Sequence, residues 1–213
     1  MPDTDVEFFF DPVCPWAWLT SRWVTEVAGL RSLEIGWRFI CLRMVNEDRD
    51  YDTEFASGYE RGHQRGLELL RVCAAAKDGH GAAAVGPLYT AIGTTFHVEG
   101  RRETFDDPGR STTRAALALA GLPEDLAGAA IDGSWDDGLR ADTEDALSRA
   151  GRDVGTPIVT FEPPDGPSFF GPVISRVPKG DDALALWDAI RTLAHHPGFA
   201  ELKRSLRERP VFD

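Results

Sequence analysis

Cysteine is scarce and unpatterned: the 213 residues hold three, at positions 14, 41 and 73. They form no even, closely spaced framework, which excludes a disulfide-stapled secreted scaffold and points to free thiols in a reducing interior. Bases are outnumbered, 23 Lys and Arg against 35 Asp and Glu, for a formal charge of −12. That balance opposes nucleic acid and anionic membrane surfaces as partners, since both need positive patches. Apolar runs are short. None approaches the roughly 18 residues that span a bilayer, and the acidic first residues lack the basic segment of a secretory signal, so a cytoplasmic protein is expected. The five histidines, 63, 80, 97, 195 and 196, show neither HxxxH nor HExxH spacing, and no Cys-x-x-Cys pair accompanies them. No metal site is expected. Also missing are a G-x-S-x-G elbow, a G-x-x-x-x-G-K-[ST] loop and a G-x-G-x-x-G after the first strand, which removes serine-hydrolase and nucleotide-dependent chemistry. There is no internal repeat, low-complexity tract or flexible linker.

What is present suffices for a substantial core, with 42% hydrophobic and 27% charged residues. Val6 to Phe10 is a short apolar, aromatic run closed by Asp11-Pro12, the pattern of a buried strand ending in a turn. From Pro15 the apolar positions Trp16, Leu19, Trp23, Val27 and Leu30 step by three or four and Gly29 is a stop signal, which predicts a helix. From Leu33 to Val45 the apolar residues Leu33, Ile35, Trp37, Phe39 and Cys41 alternate with their neighbours at strand period. The three together predict β-α-β with a parallel pair. Residues 51–150 show only helical periodicity, cut at Gly79, Gly100, Pro108, Gly121 and Gly133. Two short strands, Pro157 to Phe161 and Ser168 to Phe170, then flank the turn-forming Pro163-Pro164-Asp165-Gly166-Pro167. Helices over Asp181 to Leu193 and through Phe199, Leu202 and Leu206 close the chain. The expected architecture is α/β: a β-α-β and β-β-α sheet assembled from residues 1–50 and 151–213, with residues 51–150 as an all-helical insertion acting as a lid over a substrate pocket.

Cys14 sits where the first strand gives way to the first helix, followed by Pro15, whose missing N–H costs nothing in a first helical turn. Unpaired N–H groups and the positive helix end stabilise a thiolate there and lower its pKa. Cys14 is therefore the candidate nucleophile. Trp16 falls on a helix face near it and suits stacking of a flat ring.

The succession strand, Cys14-Pro15-Trp16, helix, strand, helical block, Gly155-Thr156-Pro157, hairpin and helix resembles the thioredoxin fold of DsbA-like disulfide oxidoreductases. Within them the chain is most similar to the actinobacterial mycothiol-dependent nitroreductases. The likeness rests on Phe10-Asp11-Pro12-Val13-Cys14-Pro15-Trp16, Thr20-Ser21-Arg22-Trp23, Asn46-Glu47, Pro87-Leu88-Tyr89-Thr90-Ala91, Asp153-Val154-Gly155-Thr156-Pro157 and Phe169-Phe170-Gly171-Pro172. It implies a cis Pro157 facing the nucleophile, with the main chain of Thr156 pairing with a thiol ligand. It also implies mycothiol as co-substrate and reductant, no tightly bound cofactor, and disulfides or small nitro compounds as substrates. One departure matters: Ala17 stands where the superfamily has its second, resolving cysteine. Whether Ala17 is the native residue, a substituted one or the mark of a paralogue, the chemistry left to Cys14 is that of a single thiol, resolved by a second small thiol.

Further positions carry two uses each. Asn46 either contacts the ligand, as in the family, or caps a loop. Tyr59 and His63 share a helix face and line the pocket roof or pack on each other. Asp181 and Asp182 are expected to cap the last core helix, while the kappa-class glutathione transferases imply that Asp182 touches the thiol ligand. Two other readings stay open: a transferase-like or isomerase-like enzyme that activates a bound thiol, and a silent thiol-binding module. A monomer or homodimer is compatible with all three.

Overall fold

The run Val6–Phe10 (β1) is apolar without alternation because both of its faces are covered: Val6, Phe8, Phe9 and Phe10 are wholly buried. In the computed structural model, which describes residues 4–205 and 208–212, it leads into α1, Pro15–Arg31, and then β2, Ile35–Phe39. The helices α2 (Leu42–Val45), α3 (Tyr51–Glu54), α4 (Tyr59–His80), α5 (Val85–Gly93), α6 (Ser111–Leu119) and α7 (Asp136–Ala150) follow. Strands β3 (Ile158–Phe161) and β4 (Ser168–Phe170) and helix α8 (Gly180–Ala194) complete the chain. The architecture is mixed α/β.

The four strands lie in the order β2-β1-β3-β4. β3 runs antiparallel to β1, with Phe9 opposite Ile158, and β4 antiparallel to β3, with Ile158 opposite Phe170. β2 runs along β1 in the same direction. Asp5 N and Val6 N donate to Glu34 O at one end, and Phe8 and Phe10 meet the Trp37 ring edge-on at 5.6 and 5.9 Å further along.

Two compact units divide the chain, one of Met1–Phe10, Cys14–Arg38 and Leu147–Asp213, the other of Asp11–Val13 and Phe39–Ala146. Apart from residues 11–13, the divisions fall at 38/39 and 146/147, against the 50/51 and 150/151 expected from the sequence. The first unit holds most of the sheet, with α1 against α8. Trp23 is its buried centre, its ring 5.6 Å from Trp187 and its Nε1 donating to Ala183 O at 3.0 Å. In the second unit α4 is the axis, burying Leu67, Leu70, Cys73 and Ala76. Arg71 grips Asp136 through two bonds of 2.7 Å, and Arg65, itself buried, holds Asp106.

Three expectations need correcting. The second strand stops at Phe39 instead of continuing to Val45, because the next backbone donors are taken by side chains. Thr143 Oγ1 accepts from Cys41 N at 3.0 Å and Asp11 Oδ2 from Leu42 N at 2.8 Å, turning the chain into α2. Cys41 is thus a helix N-cap, not a central-strand residue. The helix expected through Phe199, Leu202 and Leu206 is absent over 197–205. Pro197 cannot extend α8, Gly198 turns left-handed at φ 82°, and Leu202 is 83% exposed, with no core face to hold it. Leu206 lies outside the described residues. Leu119, at the end of α6, is 78% exposed.

Candidate active site

Cys14 is the N-cap of α1 (φ −78°, ψ 115°), and its carbonyl accepts the first helical bond from Trp18 N at 3.0 Å. Pro15 occupies the first helical position, where no donor is needed. The Sγ atom accepts from Ala17 N at 3.4 Å, in the way a capping serine oxygen would. On its other side the thiol donates to Thr156 O, also at 3.4 Å. The sulfur thus has one neighbour that favours the anion, the Ala17 N–H, and one that favours the thiol, the Thr156 C=O.

Thr156 and Pro157 are buried, the peptide between them is cis, and Thr156 Oγ1 donates to Phe9 O at 3.3 Å. Strand β1 therefore positions the loop before β3 at the start of α1. The half-buried Pro15 and Trp16 complete the first-unit group. Trp18 and Trp23 belong to the core, 3% and 0% exposed. Arg22 is half-buried, with its guanidinium 4.3 Å from the centre of the Trp18 ring.

Asn46, Tyr59 and His63 belong to the second unit. Asn46 is buried as the C-cap of α2, with Nδ2 donating to Leu42 O at 2.8 Å. His63 is buried, its Nδ1 2.8 Å from Tyr51 Oη, and burial together with the Arg43 charge lowers its pKa to about 4. Tyr59 is 52% exposed and stands 5.8 Å from both the Phe55 and His63 rings. Tyr51 stacks on Phe55 at 4.7 Å, and the Arg49 guanidinium lies 4.4 Å from the Phe55 centre.

Asp182 is exposed in the first turn of α8, whose N-cap is Lys179, so the acids do not cap the helix themselves. The anion at this helix start is internal. Glu26 accepts from Gly180 N and from Lys179 Nζ, both at 3.2 Å, and these bonds hold its carboxyl below the usual range.

Cys41 and Cys73 are buried, and desolvation pushes both thiols up to about 12. They are inert as nucleophiles at neutral pH.

Two residues next to this machinery in sequence or bonding had no role assigned from sequence. Asp11 is wholly buried and accepts from Val13 N at 3.1 Å and Leu42 N at 2.8 Å; burial, opposed by these bonds, raises its pKa to about 7. His97, in a π-helical turn over Thr94–Val98, bonds through Nε2 to Pro12 O at 2.9 Å. A carbonyl only accepts, so Nε2 carries the proton, and burial lowers the pKa of this imidazole to about 4. An Asp three residues before Cys14 was the only local signal. Its burial was not readable, since Leu42 and His97 lie far along the chain.

Among the described residues no group of three or more His, Cys, Asp and Glu comes together to hold a metal ion, and no helix is long and apolar enough to cross a membrane.

The chain is 31% identical over 206 residues to the uncharacterised protein Rv2286c of Mycobacterium tuberculosis, covering 94% of this chain and 82% of that one. Its fold is similar to that of the cytosolic disulfide reductase DsbM from Pseudomonas aeruginosa (TM-score 0.55, 21% identity, 89% of this chain and 99% of that one). It is similar also to Proteus mirabilis DsbA in complex with a peptide (TM-score 0.52, 15% identity, 92% and 91% of the two chains). Residues 13–204 match the model of a family described as Rv2466c-like, after the mycothiol-dependent nitroreductase Rv2466c. The DsbA-like thioredoxin fold is thereby shown, and the chain belongs to the Rv2466c-like family.

Proposed function

We propose that this protein is a monothiol oxidoreductase in which Cys14 is the nucleophile and mycothiol the reducing co-substrate. The observation that supports it most is the setting of Cys14 Sγ, capped by Ala17 N–H and flanked by Thr156 C=O. An N–H aimed at sulfur from a helix start stabilises the thiolate that attacks a disulfide. In this reading the Thr156 main chain pairs with the peptide-like part of a thiol ligand. The other two thiols are buried and neutral, so the catalytic cycle needs an external partner.

In disulfide exchange the Cys14 thiolate bonds to one sulfur of the substrate and expels the other as thiolate. A mycothiol thiolate then attacks the substrate sulfur of the mixed disulfide and restores Cys14. For a nitro compound, Cys14–SH and one mycothiol supply two electrons and two protons. The nitro group becomes nitroso, water leaves, and a Cys14–mycothiol disulfide forms; a second mycothiol releases Cys14 as mycothiol disulfide. In this reading the half-buried Trp16 stacks on the flat ring. Tyr59, His63 and Asn46 are ligand-binding positions of the second unit in this reading. Asp182 is a further position of this reading, in the first turn of α8, where Glu26 accepts from Gly180 N. Free thiols in a reducing cytoplasm suit this cycle.

Intact-mass spectrometry after incubation with mycothiol disulfide tests the reading. One mycothiol per wild-type chain and none on Cys14→Ser is the expected result. Full turnover by Cys14→Ser would overturn it in favour of an enzyme that activates a bound thiol without being oxidised. No adduct and no turnover would leave a thiol-binding module.

A further inference from the structure

The three residues that lead into the nucleophile, Asp11, Pro12 and Val13, cluster with the helical unit and not with the strand before them or the helix after them. They are tied there at two points. The Asp11 carboxylate bridges Val13 N, through Oδ1 at 3.1 Å, and Leu42 N at the first turn of α2, through Oδ2 at 2.8 Å. The neutral His97 donates from Nε2 to Pro12 O. The carboxylate is wedged against the backbone of α4: a Cβ on Gly66 would lie 2.6 Å from Asp11 Oδ1 and 3.0 Å from Oδ2. Only glycine permits that approach. Val13 is bonded directly to Cys14, so whatever fixes Val13 sets where the N-cap sulfur begins.

We propose that Asp11 is a positioning residue for Cys14: in its ionised form the carboxylate clamps the 11–13 segment to α2 and α4, and its protonation loosens the clamp. The inference rests on the reading of Cys14 as nucleophile and adds a residue to that machinery. An ionised carboxylate accepts from both N–H groups at once, whereas the protonated acid turns one oxygen into a donor that faces an N–H. The titratable groups facing Asp11 are Cys41, from the start of α2, and Cys73, from α4; both thiols stay neutral and are pushed up partly by the Asp11 charge itself. His97 reaches the same segment through Pro12 O and is neutral above about 4. Asp11 has a pKa of about 7, so the clamp switches within the neutral range. Cys14 reactivity is then governed by two titrations, its own and that of a carboxyl group.

The test is the pH dependence of iodoacetamide alkylation at Cys14, read by peptide mass spectrometry so that Cys41 and Cys73 are excluded. The wild-type profile should show a second inflection near pH 7, and Asp11→Asn should lose it and react about tenfold more slowly at pH 8, the equivalent of one bond to a charged group. Gly66→Ala, which keeps the carboxyl but pushes it off its seat, should shift the profile in the same direction, so the inference does not depend on how well Asp11→Asn folds. A single-step wild-type profile, or variant profiles that superimpose on it, would overturn the role of Asp11 while leaving Cys14 as nucleophile. A Cys14 that iodoacetamide does not modify at any pH would instead remove the nucleophile reading on which both stand.

Discussion

At the residue scale, Cys14 supplies a capped sulfur and Ala17 the N–H that caps it. Ala17 is fully buried three residues after Cys14, the spacing at which the resemblance to the DsbA-like oxidoreductases implies a resolving cysteine. Ala17→Cys should therefore convert the protein from adduct formation to an internal disulfide: after mycothiol disulfide treatment the intact mass should fall by two hydrogens instead of rising by one mycothiol. A persistent adduct would show that position 17 does not reach Cys14. Trp23 illustrates a different kind of residue. Its indole is 0% exposed, bonded to Ala183 O and packed on Trp187, so Trp23→Ala should cost about 3–5 kcal/mol in a denaturant melt. Cys14, Pro15 and Trp23 were legible in the sequence because their signals are local: a strand end, a first helical turn, a helical period. Asp11 was not, because its environment comes from Leu42 and Gly66, far along the chain.

At the scale of elements, the informative place is the end of β2. Alternation from Leu33 to Cys41 reads as one long strand, yet the strand occupies only Ile35–Phe39. The turn into α2 depends on Thr143 of α7, which is 2% exposed, donates to Leu139 O and accepts from Cys41 N. Thr143→Val should leave that buried N–H without an acceptor and lower stability by about 1–3 kcal/mol, with Thr143→Ser close to wild type. Equal denaturant midpoints for the two variants would contradict this account. The absent C-terminal helix has the converse origin. Leu202 repeats at helical spacing, but it is 83% exposed, and a short helix without a buried face is not stable in water.

For the whole molecule, Asp11, His63 and His97 are the buried groups whose shifts act between about pH 4 and 7. His63 and His97 have native pKa values of about 4, below the reference 6.5, so the native state binds fewer protons than the unfolded chain and stability is lost as pH falls from about 6.5 towards 4. Asp11, raised from 3.8 to about 7, acts oppositely: the native state holds its proton, and stability is gained as pH falls through that range. Two groups outweigh one. The melting temperature should drop between pH 6.5 and 4.5, less steeply in His63→Gln and more steeply in Asp11→Asn. A flat wild-type profile would show that the imidazoles are accessible to protons without unfolding. None of these three burials follows from composition, although the acid excess, the short apolar runs and the β-α-β start do. The sequence alone carried the order of the strands, the placing of a thiol at a helix start and the alanine three residues after it, because periodicity, Pro and a motif act over a few residues. Only the tertiary structure decided where β2 stops, which charges are buried and that residues 11–13 bond to the helical unit, because those outcomes depend on donors and acceptors brought together from distant parts of the chain.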